Sequence, residues 1–521
     1  VVQLGSCMND KLSRESQINQ PHAQDIGRLA RGAAKWVFAL LIVKQILTIL
    51  TTMIVSRYVS PEDTGTVGMV LTLVAFIVLF DTGLTWATVQ PKKITPEQVD
   101  SMFWFGVVLG SFLLVICIVA GPLLADFYHN TRLIAVSAVI GLSPFFNSMT
   151  TQLSALLKRT MQQKKNNLID TVAILLSSLF AIVLALAHMG YWAIVLQLVS
   201  MQVLRFVLLL FFTGYKPKSP RFSRSAIILI QMGGFLAISN FICYFQLYLG
   251  TILIGHLFGS ASLGFYLKAT GLKGLPTTYA AMVVTDVMVT SLAAFHGDQG
   301  RVGEAYRKAL RLIAFVGCPA GAMLYPLAAE SVRLFYGTQW RAAVPLLEIM
   351  SVSALLLPIT TTTIWLFLAA GKAKSQLVMN VALTLITLAV YYFAYGNTHT
   401  LQGFVICETV LFTLILPVVN LVVSHRVVGI SLNETFKVVF PILCCSVITA
   451  ALVSVFGMYL KTFEINWIYG LFLKGGLGVV VYFALTLLLL RPFPMPFVVL
   501  LLKRCLRIIG VKSVSESRDK I

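Results

Sequence analysis

In a chain of 521 residues, 58% are hydrophobic and only 12% charged. A soluble protein of this size would need about a quarter of its residues charged to cover its surface. With a mean hydropathy of +0.87 and a formal net charge of +20, these values exclude a soluble enzyme, a secreted domain and a DNA-binding factor. They describe an all-α polytopic membrane protein.

Residues 1–30 are polar and hold no apolar core, so no cleavable signal peptide is expected. A helix needs about 20 apolar residues to cross the hydrocarbon core. Fourteen such runs are predicted, over residues 36–56, 65–85, 102–123, 133–155, 168–188, 191–213, 226–255, 264–294, 305–329, 342–370, 376–395, 402–424, 438–460 and 467–490. They lack the period-two alternation of barrel strands.

Lys and Arg fix the expected orientation. The N-terminal tail, Lys92/Lys93, the 158–165 and 216–224 clusters, the 301–311 cluster, Lys372/Lys374, Arg426/Lys437 and the tail from Arg491 hold 30 of the 40 basic residues. The alternate connections hold five: Arg57, Arg132, Arg333, Arg341 and Lys461. The first set is expected in the cytoplasm, with both termini. The net charge thus follows from positive-inside loops and implies no nucleic acid.

Arg57–Leu73 and His256–Leu272 align at an offset of 199 residues, placing Gly65 on Gly264. Each stretch opens the second segment of a six-segment block that starts in the cytoplasm. The blocks are therefore parallel repeats. The expected organisation is a cytoplasmic tail (1–35), an N-lobe (36–224), a C-lobe (225–424), an appended helix pair (425–490) and a basic cytoplasmic tail (491–521). Two such lobes form the frame of an alternating-access transporter, with Gly65 and Gly264 as gate turns. Pro144, Pro276, Pro319, Pro326, Pro358 and Pro417 interrupt apolar runs and are expected to bend helices.

Motor and enzyme signatures fail. Gly371-Lys372 lacks the loop glycine and Ser/Thr of a P-loop, and there is no D-x-D sugar-nucleotide site. Asp63-Thr64-Gly65 and Asp81-Thr82-Gly83 mimic an aspartic-protease pair, but eighteen helical residues place them about 27 Å apart, whereas the protease needs about 3 Å. The Asn433-Glu434-Thr435 sequon falls on the expected cytoplasmic side. The eight cysteines form no C-x-x-C pair and read as small buried hydrophobes. No catalytic residue, metal or cofactor is expected.

Charges inside apolar runs carry the chemical information, because each is costly in hydrocarbon unless it meets water or a partner. The bases are Lys44, Arg205, Lys268, Lys273 and Lys474; the acids are Asp81, Asp170, Asp286, Glu348 and Glu408. Lys474, Arg205, Asp81 and Asp170 lie near segment ends, where long side chains reach the interface. Lys44 and Lys273 lie about 12–13 Å along their segments and come from different lobes. Lysines around a water-filled cavity attract an anion such as a phosphate group. Lys44, Lys268, Lys273 and Arg205 are therefore candidate substrate-binding residues. Asp81, Asp286 and Glu348 are either ion-coupling carboxylates or salt-bridge partners. Aromatic clusters such as Tyr391-Tyr392-Phe393 fit sugar stacking or, more commonly, an interfacial belt.

Several stretches, taken in order, resemble the polysaccharide-transport branch of the multidrug/oligosaccharidyl-lipid/polysaccharide flippase superfamily. They are Ser60-Pro61-Glu62-Asp63-Thr64-Gly65, Asp81-Thr82-Gly83-Leu84 and Ala125-Asp126-Phe127-Tyr128. Leu263-Gly264-Phe265-Tyr266 with Ala269 and Leu275-Pro276 follows, then Gly337 with Trp340. The acid that members often carry late in the seventh helix is absent from Leu249–Gly255. The resemblance implies a flippase that moves an undecaprenyl-diphosphate-linked oligosaccharide across the bacterial inner membrane for exopolysaccharide, capsule or lipopolysaccharide assembly. Its implied partners are that lipid-linked substrate, membrane lipids and a polymerase or export machinery. The alternative is an ion-coupled multidrug exporter of the same superfamily.

Overall fold

The computed structural model describes residues 26–78, 94–160, 162–215, 224–282, 299–370, 372–463 and 466–489. Among the described residues every regular element is helical. Asp81, Asp286 and the second D-T-G lie outside them.

The first helix, α1 (Ile26–Tyr58), stops two residues before Pro61, and α2 (Pro61–Val78) begins on that proline. The local sequence explains the break. Pro suits the first position of a helix, where its missing N–H costs nothing. The Ser60 hydroxyl accepts a hydrogen bond from the Asp63 amide at 3.1 Å, capping one orphan donor. Glu62 and Asp63 place negative charge in the first turn, where the helix dipole favours it.

α3 (Pro96–Tyr128) starts the same way, with a Thr95/Gln98 capping box ahead of Pro96, and ends on His129 in the left-handed region. α4 (Arg132–Ile140) and α5 (Leu142–Arg159) share one predicted segment and part at Gly141, with Pro144 in the first turn of α5. α6 (Gln163–Leu186) and α7 (Tyr191–Thr213) complete the first half.

α8 (Arg224–Met282) covers parts of two predicted segments. Gly259, at φ 79° and ψ 177°, is non-helical and divides it into two legs. Glycine suits that point because a side chain is strained at positive φ. α9 (Gln299–Ala322) leads into a connector containing α10 (Ala328–Phe335) and a 3₁₀ turn over Thr338–Trp340. Pro326 falls in this connector and so bends no helix. α11 (Ala343–Thr360) and α12 (Thr363–Ala369) share one predicted segment, and Pro358 lies two residues before α11 ends. α13 (Ala373–Asn397) follows. The next segment comprises α14 (Leu401–Val410), a π turn (Leu411–Ile415) and α15 (Leu416–Val428). Pro417 explains that irregular turn, because it cannot donate to the preceding one. α16 (Leu432–Lys461) and α17 (Trp467–Leu489) close the described chain.

Eleven described helices are long and apolar enough to cross a membrane. Kinked α8 counts once among them although its legs fall on two predicted segments, and α2 and α9 cover the remaining two. Each of the fourteen predicted segments thus falls on a described helix over at least part of its length, and the ends of segments 65–85 and 264–294 lie outside the described residues.

Apart from α2, helices α1 to α7 pack chiefly on one another, through α1–α6, α6–α7, α3–α5 and α5–α7. From α8 onward the main contacts are α8–α11, α9–α11, α9–α16 and α16–α17. The most extensive contact of all joins these two groups, between α2 and α8.

Candidate functional site

The two groups meet at the end of the bundle where α1 turns into α2. Gly65 on α2 faces the Ser260 carbonyl, and Gly264 on α8 faces the Pro61 carbonyl. A Cβ at either glycine would overlap backbone of the opposite group. The two aligned glycines therefore let two backbones touch, as small residues do wherever membrane helices approach closely. Beside them the Phe127 and His256 rings stack across the groups at 4.3 Å, and His256 Nδ1 lies 2.8 Å from the Phe127 carbonyl.

The connector after α9 completes this contact. The last carbonyls of a helix have no partner within it, and at the end of α1 those of Ser56 and, just past it, Val59 find donors on the other group. Trp340 Nε1 donates to the Ser56 carbonyl at 2.7 Å. Gln339 Nε2 donates to Ser56 O at 2.5 Å and to Val59 O at 3.2 Å. In return, Arg57 Nη2 donates to Leu334 O at 3.1 Å. Gly337, at φ 99°, supplies the backbone turn that presents Gln339 and Trp340.

Lys268 belongs to the same contact. Its ammonium donates to the Ser56 hydroxyl at 2.6 Å and lies over the rings of Tyr336 (4.9 Å) and Trp340 (5.1 Å). Two π faces and the negative end of α1 hold the charge.

The other candidate cations lie elsewhere. Lys44 on α1 donates to Asn167 Oδ1 at 2.8 Å and lies 3.5 Å from Asp170 Oδ2. Arg205 Nε on α7 bonds Asp170 Oδ1 at 2.9 Å. One carboxylate is thus shared by two cations within the first group. Arg205 and Asp170, each expected to reach for the interface, bind each other. Lys273 on α8 lies over the Phe412 ring at 5.4 Å. Lys44 and Lys273 are held by different partners, each within its own group. Glu348 sits half-buried on α11. Lys474, also expected at the interface, is instead buried and bonds Glu330 Oε1 at 2.6 Å. The phenol of Tyr244 donates to Thr72 O at 2.7 Å, a further bond between the groups.

Glu408 was expected only as an acid in an apolar run, with no assigned role. It is buried on α14 and accepts from the Tyr266 hydroxyl at 2.6 Å and the Tyr391 hydroxyl at 3.2 Å. Tyr266 stands in the Leu263–Tyr266 stretch quoted above, so the signal was present. It marked the donor and not the acceptor.

Residues 54–345 match the polysaccharide biosynthesis protein family. The chain belongs to that family. The matched region contains both closely packed glycines, Lys268, Gly337 and Trp340, so the contact between the groups lies wholly inside it. The relatives that the chain resembles are distant in sequence. An uncharacterized membrane protein in the cps region of Klebsiella pneumoniae is 23% identical over 424 residues, covering 77% of this chain and 86% of the relative. The lipopolysaccharide biosynthesis protein WzxC of Escherichia coli is 23% identical over 67% of this chain and 71% of its own. The succinoglycan biosynthesis transport protein ExoT of Rhizobium meliloti is 26% identical over 60% and 64% respectively.

Among solved structures, the lipid II flippase MurJ in an inward closed conformation superposes with a TM-score of 0.70 at 13% identity, over 86% of this chain and 97% of MurJ. An inward-facing multidrug transporter of the MOP superfamily gives 0.62 at 16% identity, over 75% and 96%. The fold is therefore that of the MOP transporters.

Proposed function

We propose that this protein is a flippase. It carries an undecaprenyl-diphosphate-linked oligosaccharide repeat unit across the bacterial inner membrane by alternating access between two lobes, residues 36–224 and 225–424. One observation supports this most directly. Cations held deep in the helices meet rings and hydroxyls, or share a carboxylate, and so retain attraction for an anion. Lys268 and Lys273 are held by π faces, and Lys44 and Arg205 divide Asp170 between them. A diphosphate cannot enter hydrocarbon unaided, and such groups offset the loss of its hydration. The names of WzxC and ExoT, both tied to surface polysaccharides, support the same cargo class.

In this reading the contact around Gly65 and Gly264 is the periplasmic gate, shut, and both termini lie in the cytoplasm as the basic loops require. The cargo enters from the cytoplasmic leaflet and its polyprenyl tail stays in lipid. Asp81, Asp286 and Glu348 remain the candidate coupling acids. A polymerase or export machinery receives the product.

The test is replacement of Lys44 and Lys273 together by Gln in a host whose chromosomal copy is deleted. Lys44→Gln leaves Asp170 its bond to Arg205, so the fold is kept. Surface polymer should fall at least tenfold at unchanged protein abundance, while lipid-linked repeat units accumulate facing the cytoplasm. Replacement by Arg should restore more export than replacement by Gln. Full polymer from the double Gln variant would remove these lysines from the cargo path, and full polymer from the deletion itself would remove the function.

A further inference from the structure

We propose that α17 is a latch for the gate, and that the Lys474–Glu330 ion pair is the positioning contact through which it acts. The proposal rests on the alternating-access reading above and assigns a role to the appended helix pair, which lies beyond the family match ending at residue 345.

The connector between α9 and α11 has two working sides. One side touches the end of α1 and α8: Leu334 O, Gln339 and Trp340 hold Arg57, Ser56 and Val59, and Tyr336 holds Lys268 of α8. The other side touches α17. Lys474 Nζ bonds Glu330 Oε1 at 2.6 Å and Pro326 O at 3.2 Å. Arg333 lies over the Trp467 ring at 4.6 Å. Glu330 and Arg333 are three residues apart on α10, so one short helix carries both grips on α17. Leu334, the next residue, carries the carbonyl that takes Arg57.

The pair is built into the fold. The Lys474 and Glu330 side chains are 9% and 14% exposed. Gly457 on α16 makes room for the lysine, since a Cβ there would come within 2.8 Å of Lys474 Cε. A buried ion pair is a weak source of net stability, because desolvating its two charges offsets most of their attraction. It is strongly directional, however, since removing either partner strands the other. Such a pair serves better to fix the connector's position than to add strength. α17 is itself tied to α9 by the Tyr482 hydroxyl, which donates to Phe315 O at 2.9 Å. The connector is therefore held between a braced helix and the end of α1.

The test reads gate geometry, not export. Phe127 and His256 stack across the gate and are replaced by cysteines in a background with the other cysteines removed. The yield with a short thiol cross-linker, in membranes, reports closure. Lys474→Met and Glu330→Gln should each lower that yield at least threefold in the inserted protein, and the swap Lys474→Glu with Glu330→Lys should recover most of it. Trp467→Ala strands no buried charge, so it keeps the fold even if the single charge variants do not, and should lower the yield about twofold. An anchor that only supports folding would reduce abundance and leave the yield of surviving protein unchanged. An unchanged yield in inserted Lys474→Met, or in Trp467→Ala where the charge variants are not recovered, overturns the latch. A protein that cross-links as expected in every variant yet never exports polymer overturns the flippase reading and leaves the latch standing.

Discussion

Gly264→Val should hold the gate open. The new side chain would have to occupy the position of the Pro61 carbonyl, which is backbone and has no rotamer to move. Overpacking usually costs about 1–3 kcal/mol when neighbours can shift, so the cost here should lie at or above the top of that range. About 3 kcal/mol corresponds to a roughly hundredfold loss of the closed state relative to the open one. The helix itself loses little, because the clash arises only when the groups meet. Cross-linking between cysteines at Phe127 and His256 should therefore nearly vanish, and polymer export with it, at normal protein abundance. Gly274→Ala is the control: a Cβ there meets nothing within 4 Å, and closure should be unaltered. Undiminished cross-linking in Gly264→Val would show that the two backbones need not touch for the gate to shut.

Asp170→Ala should have the largest effect on stability. It removes the one carboxylate that Lys44 and Arg205 share and leaves two cations side by side among α1, α6 and α7. Breaking a fully buried pair costs about 3–5 kcal/mol, and with side chains 16–20% exposed the cost here should lie at or below the lower end of that range. The thermal unfolding midpoint in detergent should drop by several degrees or more, and membrane abundance should fall with it. Adding Lys44→Met and Arg205→Met should return most of the loss, since an apolar trio of similar volume strands no charge. An unchanged midpoint in Asp170→Ala would mean that water or lipid headgroups already serve these cations.

The helices were legible because the hydrocarbon core imposes a length and a composition that can be counted, and because basic residues alternate between connections. The two closely packed glycines were legible because an internal repeat aligned them. Pairings between distant residues were not legible. Asp170 and Arg205 both looked like charges seeking the interface, and only the packing of α6 against α7 brings them together. Glu408 was visible as an acid in an apolar run, but its two tyrosine donors stand 142 and 17 residues away. The partner of Lys474 was hidden for the same reason: position along a segment gives depth, but not the neighbour on another helix. Depth alone also made Lys44 and Lys273 look like a pair, whereas each is engaged within its own helix group.

The carbonyls of Ser56 and Val59 find their donors only on the opposite group. When the groups part, those oxygens, Gln339 and the indole N–H of Trp340 must all be taken up by solvent, since an unsatisfied polar group in a membrane protein is expensive. Opening is thus a hydration reaction, and water is one of its reactants. Solutes excluded from the protein surface, such as sucrose, lower water activity and disfavour newly wetted area. The shut form should gain ground as osmolarity rises, read as a growing Phe127–His256 cross-link yield in sucrose, and a yield indifferent to sucrose would mean that the parted groups stay dry. A cell under osmotic stress would then slow delivery of its surface polymer through the physics of three hydrogen bonds alone.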